Sequence, residues 1–179
     1  MFYISDIFAT APKIFSTKLQ EEVYKTLDYL KLPFERVDTD TAISMEDCVL
    51  INKKLDMNMV KTLFLCNKKK TLFYLFITTG DKKFDTKKFS KELNISRVSF
   101  ASEELFENML GTKIGAATIF STIIDCNRTI QVIFDKEVLE NDCYGCSDGT
   151  NTGYMKIKTE YILNILLPYT KHKYKVIEI

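Results

Sequence analysis

Apolar positions recur along the chain with two periods, and the changes between them outline its elements. Leu19, Val23, Leu27 and Leu30 repeat at helical spacing behind Thr17 and Gln20, which stand at capping-box distance. Pro33 is expected to end this helix, and Phe34 to Val37 reads as a short strand. Ser44 and Asp47 mark a second helix start, with Asp in place of the usual Glu or Gln, and Cys48 and Ile51 facing inward. Val60 to Leu65 and Leu72 to Ile77 are β-prone runs separated by Asn67-Lys68-Lys69-Lys70, a pattern that predicts a hairpin, closed by Gly80-Asp81.

Asp85 is placed to cap a helix carrying Phe89 and Leu93, and Val98 to Phe100 is a brief strand. Ser102 opens a helix with Leu105, Phe106, Met109 and Leu110 that Gly111 stops. Residues 117–124 and 129–134 read as a second hairpin turning at Asp125-Cys126-Asn127-Arg128, followed by a helical turn from Asp135 to Leu139. The stretch from Asn141 to Thr152 is polar, contains glycine and has no period, so it reads as a loop, where binding groups are usually placed. Gly153 to Ile157 is a strand, Thr159 begins a helix ended by Pro168, and Lys173 to Ile179 is a final strand. Neither a repeat nor a linker interrupts this order, so residues 1–179 are expected to form a single domain. Hairpins interleaved with helices give the α+β class rather than a doubly wound sheet.

Composition narrows the function. Lys and Arg number 25 against 24 Asp and Glu, which excludes a generic nucleic-acid-coating protein while leaving room for a local groove that touches a few phosphates. No apolar stretch approaches the roughly 20 residues that span a bilayer. The start, Met1-Phe2-Tyr3-Ile4-Ser5-Asp6, lacks the basic and apolar regions of a signal peptide. Five cysteines, an odd number, point to reduced thiols in a cytoplasmic protein.

The common catalytic constellations are missing: there is no phosphate-binding glycine loop, no HExxH and no GxSxG. His172 is the one histidine, which argues against a triad or zinc site built on this residue type, and it reads as a surface side chain. Cys143 and Cys146 have CxxC spacing, but no second ligand pair follows and the pair falls in the expected loop, so no metal is implied. Lys61 sits in a mainly apolar strand and shares a side with Leu63 and Leu65. It is either a strand-end lysine with a solvated head or a cation reaching for an acid or anion. Gly111-Thr112-Lys113-Ile114-Gly115-Ala116-Ala117-Thr118 allows close backbone approach to a ligand, or simply caps a helix and turns into a strand. Ser147-Asp148-Gly149-Thr150-Asn151-Thr152 is either a pocket wall or a well-made turn.

Taken in order, several stretches resemble the YbaK/ProX family, and more closely its ProX branch of free-standing prolyl-tRNA editing domains. They are Leu30-Lys31-Leu32-Pro33-Phe34-Glu35-Arg36-Val37-Asp38, Val60-Lys61-Thr62-Leu63-Phe64-Leu65-Cys66-Asn67-Lys68-Lys69 with its partner Leu72-Phe73-Tyr74-Leu75, and Arg97-Val98-Ser99-Phe100-Ala101-Ser102-Glu103-Glu104-Leu105. Leu110-Gly111-Thr112-Lys113-Ile114-Gly115-Ala116-Ala117-Thr118-Ile119-Phe120, Val132-Ile133-Phe134-Asp135 and Thr150-Asn151-Thr152 complete the series. The resemblance implies a mixed, mostly antiparallel sheet or incomplete barrel flanked by helices, with a pocket for the aminoacyl end of tRNA. It implies hydrolysis of a small mischarged amino acid, alanine on tRNA specific for proline, by a positioned water aided by the substrate's own ribose hydroxyl, without metal or cofactor.

By the same resemblance, Lys61 meets the phosphate or ribose of the terminal adenosine. Gly115 opens a glycine-x-x-x-proline segment whose amides line the reaction centre, and Ser147 with Asn151 holds the water or amino group. Thr62, Ala116, Ala117, Thr118, Ile119, Asp148 and Thr150 are the implied substrate-binding positions. The chain departs from the family pattern at Thr62, usually asparagine; at Ile119, usually proline; and at Ser147 and Asp148, usually histidine and proline. The alternative implied by these departures is a non-catalytic aminoacyl-tRNA or small-ligand binding protein in which Ile119 fills the amino-acid pocket. A structural or regulatory partner domain, with a closed pocket and an exposed apolar patch, is a third.

Overall fold

The structure is a computed structural model that describes residues 2–42 and 44–179; Met1, where the N-terminal reading begins, and Ile43 lie outside the described residues. In chain order the elements are α1 (Lys18–Tyr29), β1 (Glu35–Asp38), α2 (Met45–Leu55), β2 (Val60–Asn67), β3 (Phe73–Thr79), α3 (Thr86–Glu92) and β4 (Val98–Phe100). Then come α4 (Glu103–Leu105), which continues as a π-helical turn over Phe106–Leu110, a 3-10 helix at Ile119–Ile123, β5 (Ile130–Asp135) and α5 (Lys136–Leu139). β6 (Cys143–Ser147) and β7 (Gly153–Lys158) lead into α6 (Thr159–Tyr161), a π turn at Ile162–Leu166, α7 (Leu167–Thr170) and β8 (Tyr174–Ile177).

Two open sheets result, one with the order β1-β7-β6 and the other β4-β2-β3-β5-β8. The pairings are antiparallel except β3 with β5 and β5 with β8, so the α+β expectation of a mixed, mostly antiparallel architecture holds. Period-2 alternation divides the larger sheet's side chains between two clusters. Phe64, Cys66, Leu75, Ile77, Val132 and Phe134 join the main core with α1, the 3-10 helix and the inner face of the smaller sheet. Leu65, Tyr74, Phe76 and Ile133 face the opposite way, against Phe89 of α3. A third cluster places Ile51 and Leu55 of α2 on Val37 and Tyr154 of the smaller sheet.

The caps read from sequence form with small changes. The Thr17 side chain accepts from the Gln20 N–H, but the Gln20 side chain receives the Ser16 amide instead of closing a reciprocal box. Ser44 and Asp47 do make the reciprocal box, and Asp85 accepts from Lys87 and Lys88. Lys31, in the left-handed region at φ 55°, terminates α1 just ahead of Pro33.

Four expectations need correction. Residues 117–124 are not a strand: Thr118 caps the 3-10 helix, and the Ser121 and Thr122 hydroxyls donate to the carbonyls of Leu110 and Ile119. Burial of Ile119 and Phe120 in the core outweighs the β propensity of this branched run. The 141–152 stretch contains β6, because Gly145 lets the strand approach the 57–59 segment. A Cβ on Gly145 would come 2.6 Å from Met57 Sδ. Pro168 does not end its helix. In the π turn before it the Leu167 N–H reaches back five residues to Ile162 O, a wide turn that accommodates the ring. His172 is not a surface residue; its side chain is 1% exposed and bonded to Asp125. Among the described residues no helix is long and apolar enough to cross a membrane.

Candidate active site

β2 pairs with β3 from Val60 to Cys66, but with β4 only from Leu65 to Asn67. The first half of β2 is therefore an edge inside the fold. The Phe64 carbonyl, which accepts from Ala101 N–H at 2.9 Å, shows which residues turn their amides toward the β4 side. By antiparallel alternation Thr62 directs its N–H and C=O to the same side, where no strand meets them. A cavity of about 890 Å³ opens along this edge. Its walls are the Lys61–Phe64 segment, Ala101 and Phe106 at the α4 end, Ile114, Gly115 and Ala117 of the glycine segment, and Cys146 and Ser147 of β6.

Lys61 is half-buried on the cavity wall, and its ammonium donates to the Lys82 carbonyl. Lys82 is itself clamped, with Nζ 2.8 Å from both Asp135 Oδ2 and Glu137 Oε1. Burial acts to lower the Lys82 pKa, but its hydrogen bonds to the two carboxylates outweigh it and raise the value. Asp135 is fully buried, receives Thr78 Oγ at 2.8 Å as well, and leaves its Oδ1 unpaired. The chain thus places one lysine as a brace and leaves Lys61 two further protons to offer. With Asp81 and Glu137 also on the wall, the surroundings of Lys61 are mixed in charge; Lys113 is exposed outside the lining.

Gly115 faces Asn151. Its φ of 96° lies where only glycine sits easily, and a Cβ there would approach the Asn151 amide oxygen at 3.4 Å. Asn151 is half-buried beside the glycine segment without lining the cavity itself. Ser147 lines the cavity, yet its hydroxyl donates to Thr150 O at 2.8 Å and accepts from Gly149 N–H at 2.9 Å, which shapes the turn. Thr62 lies over Tyr144, whose hydroxyl is buried without a hydrogen bond of ordinary length; burial raises the Tyr144 pKa, and the nearby Thr62 hydroxyl eases that rise.

The remaining positions singled out from sequence sit behind this surface. Ala116, Thr118 and Ile119 are buried; Ile119 is packed in the main core and leaves the cavity open, whereas the binding-protein alternative had it fill the pocket. Asp148 is fully buried, with Oδ2 accepting from Gln20 Nε2 at 2.8 Å and Tyr24 OH at 2.9 Å. Its Oδ1 accepts from the Thr150 hydroxyl at 2.7 Å and the Thr150 N–H at 3.2 Å. Asp148 and Thr150 thereby tie the turn to α1.

Cys48, Cys143 and Cys146 also touch the cavity, the last with its thiol pKa pushed up by burial and partly offset by a hydrogen bond to Thr118. Sequence reasoning missed the contribution of Phe106 and of the free β2 edge. The edge has no local signal, because it depends on where β4 stops. Among the described residues no group of three or more His, Cys, Asp or Glu is placed to hold a metal ion.

The aminoacyl-tRNA editing domain family model matches residues 40–165, which contain the whole cavity lining. The prolyl-tRNA editing protein ProX of Acetoanaerobium sticklandii is 26% identical over 147 residues, covering 82% of this chain and 90% of that protein. A solved structure described as a candidate trans-editing enzyme for prolyl tRNA synthetase superposes with a TM-score of 0.64 at 16% identity, over 90% of this chain and 96% of that one. A scaffold protein from computational epitope grafting gives 0.67 at 14% identity, over 91% and 97%. At these identities the structural likeness speaks for the fold; the sequence match shows that the chain belongs to the aminoacyl-tRNA editing domain family.

Proposed function

We propose that the protein is a trans-editing deacylase that hydrolyses the ester of a small amino acid, alanine in the first place, on the acceptor end of tRNA specific for proline. The observation that carries this reading is an open cavity beside an unpaired strand edge, with Lys61 and the glycine segment both in its lining. The cavity volume lies within the roughly 300–1,000 Å³ of small-ligand sites. The ammonium of Lys61 takes the phosphate or ribose of the terminal adenosine. The aminoacyl carbonyl then lies between the Thr62 N–H and the amides of Gly115 and Ala117, donors fixed before the substrate arrives, while the Ala116 N–H is held by the Lys113 carbonyl. An aminoacyl ester is already activated, so a held water attacking that carbonyl, with the adjacent ribose hydroxyl taking part, needs no side-chain nucleophile. The carbonyl carbon gains the water oxygen and the ribose oxygen leaves with a proton, releasing free amino acid and tRNA. Asn151, next to Gly115, supports the glycine segment, and Ser147 acts through the turn it builds. The chain works as one domain in the cytoplasm, where mischarged tRNA is found.

The test is a panel of alanyl, seryl, cysteinyl and prolyl esters of tRNA specific for proline. Release of alanine well above the spontaneous rate, with prolyl ester spared, is the expected outcome. Four intact esters alongside measurable tRNA binding would instead favour the non-catalytic binding protein.

A further inference from the structure

The end of the larger sheet remote from the cavity carries a second cleft. It has a volume of about 240 Å³, lies where β5 and β8 begin, and is lined by Arg128, Gln131, Lys171, His172, Lys173 and Lys175 among others. The side chains of Arg128, Lys171, Lys173 and Lys175 are exposed, and none of these four charged groups has a hydrogen-bonding or ion-pairing partner among the described residues. The nearby carboxylate, Asp125, is buried and engaged by His172, Thr129 and Ile130, so it does not neutralise them. The neighbouring β2–β3 turn adds Lys68 to Lys70, because Phe73 is in register with Ile130 across the β3–β5 pair. The turns entering β3, β5 and β8 each hold a basic residue at positive φ: Lys70 at 53°, Arg128 at 54° and Lys171 at 59°. Glycine or asparagine would be less costly at all three. In a chain of net charge +1, this is a concentrated field at one end of one sheet.

We infer that this cleft and the adjoining turn form a second docking surface for the sugar–phosphate backbone of the tRNA whose aminoacyl end enters the cavity. Lysine and arginine side chains without partners around a small cleft suit phosphates, and such contacts position rather than specify. β5 connects the two sites: Ile130 lines the basic cleft, and Glu137, just past Asp135, lines the cavity. Six residues of strand separate them by roughly 17 Å at ~3.3 Å per residue. One strand of a stem carries a phosphate every ~3.4 Å of axis, so a stem leaving the cavity covers that span in about five nucleotides. The identity of the RNA rests on the editing reading; the phosphate surface itself does not.

The experiment measures binding of uncharged tRNA against salt concentration for the wild type and two variants. One removes the cleft cations (Arg128→Gln, Lys171→Gln, Lys173→Gln, Lys175→Gln). The other removes as much charge around α3 (Lys83→Gln, Lys87→Gln, Lys88→Gln, Lys91→Gln). The cleft variant is expected to bind at least about 100-fold more weakly at low salt, with a log–log salt slope shallower by about 3.6, as four lost phosphate contacts at ~0.9 each require. The α3 variant should stay within about twofold of wild type, since counterion release needs contact rather than net charge alone.

Hydrolysis of a short aminoacyl oligonucleotide ending in CCA should be equal for the wild type and the cleft variant. Equal tRNA binding by the two variants would overturn the proposal, as would a parallel loss on the short substrate. A wild type that binds tRNA through the cleft but hydrolyses neither substrate would remove the editing reading and leave the phosphate surface standing.

Discussion

Asp148 shows how a polar residue in a loop beside the cavity can serve by being out of reach. Its carboxylate is fully buried and accepts from Gln20, Tyr24 and both donors of Thr150, so no lone pair is left facing the cavity. Tyr24 feels this directly: burial first, then the adjacent Asp148 charge, drives its phenol pKa well up, which keeps it a donor. Asp148→Ala should therefore leave two buried donors on α1 without an acceptor and cost about 3 kcal/mol. Urea denaturation checks this, and a loss under ~1 kcal/mol would show that water replaces the carboxylate. In the sequence, Asp148 was visible only as part of a polar turn or pocket wall. Its partners lie 124 and 128 positions away, beyond any local pattern. Lys61 was legible through its flanking residues, whereas the brace that holds it, Lys82 on Asp135 and Glu137, was not.

At the scale of elements, the segment after the 3-10 helix is pinned to the C-terminal helix by Asp125 and His172, 3.0 Å apart and both buried. Burial works against the Asp125 charge, but the His172 hydrogen bond and the amides of Ile130 and Thr129 overcome it and bring the pKa down to about 2. A folded pKa below the unfolded one near 3.9 means stability that is present above that unfolded value and lost as pH falls through about 2. Asp125→Asn should remove about 1–2 kcal/mol at neutral pH and flatten the decline in stability between roughly pH 4 and pH 2. Denaturation midpoints collected across that range provide the check, and an unchanged slope would contradict it. The histidine was read as exposed because a lone His before a strand has no sequence signature of its partner, 47 residues earlier. The β2–β3 hairpin was legible because its alternation and turn residues are contiguous. The 119–123 helix was not, because branched apolar residues suit strand and helix alike until core burial and hydroxyl caps decide.

Across the whole molecule, the decisive feature is that β4 covers only part of β2. An exposed edge is ordinarily a hazard of aggregation. Here the uncovered half lines a cavity walled by the glycine segment and β6, so its amides are available to a ligand and shielded from other chains. The fold class was readable from the order of hairpins and helices, but the parallel β3–β5–β8 pairings, which place β5 between the cavity and the basic cleft, appear only with the fold. Of the positions singled out in the sequence, Lys61, Thr62, Gly115, Ala117 and Ser147 lie on the cavity wall, while Ile119 turns into the core.

The most direct test of the account is the single-turnover release of alanine from alanyl-tRNA specific for proline, measured for the wild type beside Lys61→Ala. Release by the wild type and a loss of about 100-fold or more in the variant are expected if the lysine positions the ester against fixed donors. Equal release by both proteins would place the chemistry elsewhere than the edge of β2.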